Sequence, residues 1–389
     1  MSKHWISVMV IVSALLAFVV ACTPKVAPAP PAPTAAPAPT VAPSAPVSLP
    51  ASLADAAWQQ VEQAARREGR VVAYDPTYFA GDIGRAVAKA FKDRYDVSLE
   101  VLLTGGSSVS IQRLQVEKKM GQSVADLVIT GSVSGPNLIS LGLIRKGVDK
   151  ELPVVRDRSV FSLDPVYSPE GEEFTFEYSL LTAAVNKNLV KAGEIQSYRD
   201  LLDPKWKGKI VTRDPRLGSG PAMLTIVTMR LLNILDDDYF MALGRQAPVL
   251  SGAGDLEVAQ MVARGEIPIA FNNPVSAVYI PLAREGAPLR ILNLKEGTVV
   301  MPSVIQIAND APHPNAARLF INWILSAEGQ TVFHKARGSQ PVRKDVPDFT
   351  PSNIDMEPVK KLLPTSWEVA IKTTEEVKAG TMEKFFGKR

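Results

Sequence analysis

From Ser52 onward short apolar runs alternate with amphipathic stretches, and this alternation restricts the chain to an α/β architecture. Residues 70–74 (RVVAY) read as a buried strand, 81–95 as a helix carrying Ile83, Val87 and Phe91 on one face, and 98–103 as a second strand. Residues 107–120 form the next helix, closed by Gly121, followed by a strand over 125–130 and a helix over 135–143 with Pro136 in its first turn. Upstream, Ser52 and Asp55 make a capping box for a helix bearing Trp58, Val61 and Ala65. The later half repeats the pattern. Strands are expected at 209–212, 267–271, 289–294 and 299–308, and helices at 220–232, 256–264, 274–284 and 314–336. The expected arrangement is two largely parallel sheets.

The N-terminus has a different character. Lys3 and His4 precede an apolar run over 6–21, too short and too closely followed by prolines for a good membrane-spanning helix, which reads as an export signal over 1–21. The chain's only cysteine, Cys22, follows at once, and Val19-Val20-Ala21-Cys22 resembles the bacterial lipobox, in which that cysteine is lipidated. Residues 22–51 are then the lipidated cysteine and a tether of Pro, Ala, Val, Thr and Ser, a composition that favours extended polyproline-type chain over a packed core. An exported chain with one cysteine has no internal disulfide, so its fold rests on its core alone. The expected place is the outer face of the cytoplasmic membrane, held through the N-terminal lipid.

The formal net charge of +3 is small for 389 residues and no long basic run occurs, so no nucleic-acid partner is expected. The chemistry concentrates where strands run into helices. One strand ends in Thr104-Gly105-Gly106-Ser107-Ser108, a second in Thr130-Gly131-Ser132, and a third in Arg213 through Ser219 to Gly220. In open sheets ligands bind outside such strand ends, where helix N-termini present unpaired N–H groups and glycine lets a ligand approach the backbone. The candidates are therefore Gly106, Ser107, Ser108, Thr130, Gly131, Ser132, Arg213, Ser219 and Gly220, with helix capping as the other use of the same residues. Arg213 can grip an acid group or neutralise Asp214. Tyr74, Asp75, Thr77 and Tyr78 close the first strand, where a ring can stack on a ligand and a carboxylate can pair with an amine.

The stretch 68–144, with EGRVVAY, TGGSS and ADLVITGS, resembles the first lobe of bacterial solute-binding proteins of ABC importers, in the cluster of ferric-iron, thiamine and phosphonate binders. YRDLLDPKWKGKIVTRDPRLGSGPAM (198–223) and APHPNAARLFINWILSAEGQ (311–330) are similar to two further segments of that cluster. The resemblance implies a two-lobed type II periplasmic-binding-protein-like fold with a ligand cleft between the lobes, crossing near 177–185 and 271–294, and a membrane permease as partner. Lobe 1 is then 52–178 with about 295–340 returning to it, and lobe 2 is 179–294 with the helices of about 341–389 packed on it. The iron members are similar in carrying adjacent tyrosines where this chain has Phe271-Asn272-Asn273-Pro274. Asn272 and Asn273 read as helix caps or as partners of a polar organic ligand. His313 and His334 read as surface residues, and no metal or cofactor site is expected.

No nucleophile elbow, Walker loop, dinucleotide fingerprint or zinc-protease motif occurs, so no catalytic residue is assigned. The expected function is capture of a small organic anion or zwitterion by a monomer that delivers it to an ABC importer. Ferric-iron binding, a tethered sensor and a carboxylate-dependent enzyme are the alternatives.

Overall fold

The computed structural model describes residues 56–218 and 220–388, so the export signal, Cys22, the tether, the Ser52–Asp55 capping box and Ser219 lie outside the described residues. Helix α1 (Ala56–Glu68) leads into β1 (Arg70–Asp75), α2 (Gly81–Tyr95), β2 (Ser98–Leu103), α3 (Ser107–Met120), β3 (Leu127–Gly131) and the short α4 (Gly135–Ser140). Next come the 13-residue β4 (Phe174–Asn186), then β5 (Ile210–Arg213), α5 (Pro221–Leu231), α6 (Asp237–Arg245), β6 (Val249–Ser251), α7 (Asp255–Ala263), β7 (Ile269–Pro274), α8 (Ile280–Arg284) and β8 (Leu289–Ile291). The chain closes with β9 (Thr298–Ile307), α9 (Pro314–Ile324), α10 (Ala327–Arg337), β10 (Leu362–Pro364), α11 (Trp367–Lys378) and α12 (Met382–Phe386).

The expected pair of largely parallel sheets is corrected to one mixed sheet in the order β2-β1-β3-β9-β4-β7-β5-β6, with β10 on β9 and β8 on β4. The reason lies in β4, buried along its whole length. Its first part pairs antiparallel with β9 from Phe174 to Leu181, and its last part pairs antiparallel with β7 from Leu181 to Val185. One strand therefore carries hydrogen bonds into both halves and fuses what the sequence pattern presents as separate sheets. Within each half the outer pairs, β1 with β2 and β5 with β6, are parallel.

Two apolar cores flank this seam. In the first half Phe79 stacks on Phe176 at 5.7 Å and meets Phe333 edge-on, while Phe91 packs against Phe320 and Trp323. In the second, Tyr198, Trp206, Met223, Tyr239 and Phe240 are buried together, Trp206 as a core anchor. The C-terminal helices pack on this half: Arg230 of α5 binds Glu376 of α11 at 2.6 Å, and Phe240 of α6 meets Phe385 of α12.

The single long helix expected over 314–336 is in fact two, α9 and α10. Ser326 takes extended backbone and its hydroxyl accepts from the Gly329 amide, starting a new helix. A Cβ at Gly329 would lie 2.1 Å from the Trp323 carbonyl oxygen, so only glycine lets the helices meet at this angle. The helix expected over 274–284 opens instead as a π-type turn, Val275–Tyr279, before α8. The surface expectation for His334 is also corrected. Its ring is fully buried, Nδ1 meets the Ser339 hydroxyl at 2.8 Å, and burial followed by the Arg337 charge pulls it down to about 3. His313 is mostly buried, its Nδ1 2.9 Å from Asp126.

Candidate functional site

The carboxyl ends of the strands gather beside the seam. Asp75, last residue of β1, is fully buried and accepts from the Tyr78 and Phe79 amides at 2.9 and 2.7 Å, fixing the turn that carries Thr77 into solvent and Tyr78 half-buried. Burial pushes the Asp75 carboxyl up, and those amides and Arg337 only partly offset it. Tyr78 sits edge-on to Phe176, and its hydroxyl is pushed up to about 12 by burial and then by the charge of Glu177. Adjacent strand residues point to opposite faces, and Tyr74 accordingly leaves this cluster: its hydroxyl donates to Glu117 under α3, beneath Arg113.

Glu177 is the centre of the seam. It is fully buried and accepts from Ser276 at 2.9 Å and Ser303 at 2.6 Å, and the Arg337 Nε lies 3.3 Å from its Oε1. Ser276 also meets Ser179 at 3.0 Å. The end of β1, the middle of β4, β9, the π-type turn and α10 thus share one polar network.

Next to it, the Thr104 amide donates to the Asp75 carbonyl at 2.8 Å, and the Thr104 hydroxyl meets Ser110. This places the turn with Gly106, Ser107 and Ser108 alongside β1, and no side chain caps α3 at Gly106. Thr130 and Ser132 are buried and Gly131 is half-buried; Thr130 accepts from the Gln306 amide.

The second half presents three parallel strand ends. Arg213 ends β5 and lies with its guanidinium 3.4 Å from where a Gly220 Cβ would stand, over the N-terminus of α5, whose N-cap residue Gly220 has no side chain to cap it. Its Nη1 is 3.5 Å from Oδ2 of Asp255, the first residue of α7. Asp214 is neutralised by the other arginine: Arg216 forks onto both its oxygens at 2.8 Å. At the end of β7, Asn273 donates to the Asp255 carbonyl at 3.0 Å and Asn272 accepts from the Tyr198 hydroxyl at 3.0 Å. Neither caps the π-type turn, and Asn272 sits at φ +50°, in the left-handed region that asparagine tolerates. Among the described residues, Asn272 Nδ2, Asn273 Oδ1, Asp255 Oδ1 and the Tyr279 hydroxyl are buried with no hydrogen-bond partner. Buried polar atoms are normally satisfied, so four orphans on one cluster mark it as built for something besides itself.

A family model for bacterial extracellular solute-binding proteins matches residues 79–336. The chain belongs to this family. It is 27% identical over 315 residues to an uncharacterized protein of Haemophilus influenzae, covering 78% of this chain and 87% of that one. It is 25% identical over 264 residues to a putative 2-aminoethylphosphonate-binding periplasmic protein of Salmonella typhi, covering 64% of this chain and 70% of the relative. Among solved structures, the periplasmic binding protein AfuA of Actinobacillus pleuropneumoniae, with fructose-6-phosphate bound, superposes at a TM-score of 0.59 with 23% identity, over 82% of this chain and all but 1% of that one. The fold is the two-lobed type II α/β fold, and the protein is an extracytoplasmic solute-binding component of an ABC importer. Among the described residues no helix is long and apolar enough to cross a membrane.

In this solute-binding protein, sequence reasoning brings Asp75, Tyr78, Arg213, Gly220, Asn272 and Asn273 to strand ends, as the topology places them. It misses Glu177's partners Ser276, Ser303 and Arg337, which come from three distant segments. It also misses Asp255, although Ser251-Gly252-Ala253-Gly254 before it repeats the glycine–serine junction seen elsewhere; the three-residue β6 is too short to announce itself.

Proposed function

We propose that the protein captures a small organic anion or zwitterion between its lobes, as a lipid-anchored monomer that binds rather than transforms its solute, and hands it to an ABC permease. The observation that carries this is Arg213 over the N-terminus of α5, whose N-cap residue is Gly220. A guanidinium beside the positive end of a helix dipole is electrostatically unfavourable until an anion joins them, and Asp255 at 3.5 Å offsets it only in part. The Salmonella relative named for an aminophosphonate fits that chemistry. Ferric iron fits it less well. Phe271-Asn272-Asn273-Pro274 offers carboxamides, and the nearby Tyr198 and Tyr279 are fully buried with their hydroxyls pushed up by burial, away from phenolate.

The lobe division remains our proposal: 52–178 with about 295–340, against 179–294 with about 341–389. The cleft residues we assign are Tyr78, Asp75, Thr77, Gly106, Ser107, Ser108, Thr130, Gly131, Ser132, Arg213, Gly220, Asn272 and Asn273, together with Ser219; Tyr74, turned to the other face of β1 onto Glu117, is not among them.

A thermal-shift panel of phosphonates, amino acids, dicarboxylates, thiamine and ferric citrate tests the reading, since a ligand at a thousand times its Kd adds about 4 kcal/mol. A shift with an organic acid supports it; a shift with ferric citrate alone overturns it. Arg213→Ala is expected to weaken that acid's binding roughly 10- to 100-fold with little change in unliganded stability. Unchanged affinity in calorimetry removes Arg213 from the site. Cys22→Ser is expected to move the protein from the membrane to the soluble fraction; continued membrane attachment would show that the 6–21 run is the anchor.

A further inference from the structure

Asp255 and Arg213 face each other across three strand ends, and each is held less tightly than a closed ion pair would be. Their closest approach is 3.5 Å through a single nitrogen, whereas Arg216 forks onto Asp214 at 2.8 Å twice in the same region. The Arg213 side chain is 39% exposed and that of Asp255 19%, so solvent or a ligand reaches this pair, while the second Asp255 oxygen, Oδ1, is buried and unpartnered. Beside it, Asn273 is fully buried, with its amide nitrogen committed to the Asp255 carbonyl and its Oδ1 unpartnered. The Tyr279 hydroxyl, also orphaned, lies close enough to feel the Asp255 charge and the Asn273 backbone.

Three unpartnered oxygens, one of them a carboxylate's, complement a primary ammonium with its three N–H donors. A guanidinium at a helix N-terminus whose N-cap residue is glycine complements an acid. We infer that Asp255, with Asn273 and Tyr279, is an ammonium-binding subsite, and that the ligand is a short amino acid or aminoalkyl acid whose own charges replace the loose Arg213–Asp255 contact. The inference rests on the reading above that the cleft takes an acid, and it narrows that acid to a zwitterion. Bound between the two, the ligand's ammonium satisfies the buried Asp255 oxygen and its acid group satisfies Arg213, so binding exchanges one weak internal ion pair for two stronger ones.

The test compares 2-aminoethylphosphonate with ethylphosphonate, which carries the same acid without the amine, by calorimetry on the full chain and on Asp255→Asn and Asp255→Ser. Wild type is expected to prefer the amine. Each variant is expected to lose roughly 30-fold or more for 2-aminoethylphosphonate while ethylphosphonate is unchanged or tighter. An unchanged unliganded melting temperature shows that a variant is folded, and the second substitution serves if the first is not. Ethylphosphonate binding as well as its amine, or the amine preference surviving in both variants, overturns the ammonium subsite and leaves the acid site standing. Binding of neither phosphonate to wild type, with no shift from any amino acid or other organic acid of the thermal-shift panel, overturns both.

Discussion

Glu173→Gln is expected to abolish a fall in stability that the wild-type protein shows as pH rises toward 8. Glu173 is fully buried just before β4, and burial pushes its carboxyl from 4.5 up to about 8; the Gln306 amide that donates to it offsets only part of this. Above pH 4.5 the unfolded chain ionises this group while the folded chain keeps its proton. Each pH unit then costs about 1.4 kcal/mol until the folded carboxyl ionises near 8, roughly 4–5 kcal/mol across the window. The stabilising contribution is complete below 4.5 and gone above 8. His334 has the opposite sign: lowered from 6.5 to about 3, it contributes fully above 6.5 and loses that contribution as pH falls toward 3. The two slopes cancel between 4.5 and 6.5, so the decline shows itself from 6.5 to 8. Urea unfolding at about pH 5, 7 and 9 reads the effect. Parallel curves for wild type and Glu173→Gln would sink it.

Removing Arg337 is expected to be as damaging. Its side chain is 9% exposed and that of Glu177 1%, so Arg337→Met leaves a carboxylate at the seam of the sheet with only two serine hydroxyls to hold it. Stripping one partner from a buried pair costs about 3–5 kcal/mol, most of it the desolvation of the charge left behind. The guanidinium also lies about 6 Å from the centres of the Tyr78 and Phe333 rings, contacts that methionine only partly replaces. Pairing the substitution with Glu177→Gln should recover a large part of the loss, because no charge is then stranded. Additive losses in the double variant would show that the pair does not act as a unit.

Both predictions concern groups whose importance the sequence does not advertise. Glu173 stands beside Glu172, and glutamates are mostly exposed, yet both are buried. Arg337 falls just past the expected end of a helix that in the structure is two helices. By contrast, Asp75, Arg213 and the asparagines of β7 were placed by sequence because each terminates an apolar strand, and a strand's end is legible in its composition.

The sequence by itself determined the α/β class, most strand and helix bounds of the first half, and the positions of the strand-end turns, because these follow from periodicity of 2 and 3.6 and from glycine, serine and proline acting locally. Only the tertiary structure decided that the two halves share one sheet, that α9 and α10 part at Ser326, that His334 is buried, and which arginine serves which aspartate. Register between β4, β9 and β7 and pairings such as Arg337 with Glu177 join segments far apart in the chain, Val185 with Ile269 at the nearest and Arg337 with Glu177 at the farthest. Such choices depend on side-chain packing and desolvation across distant segments, which no local pattern encodes.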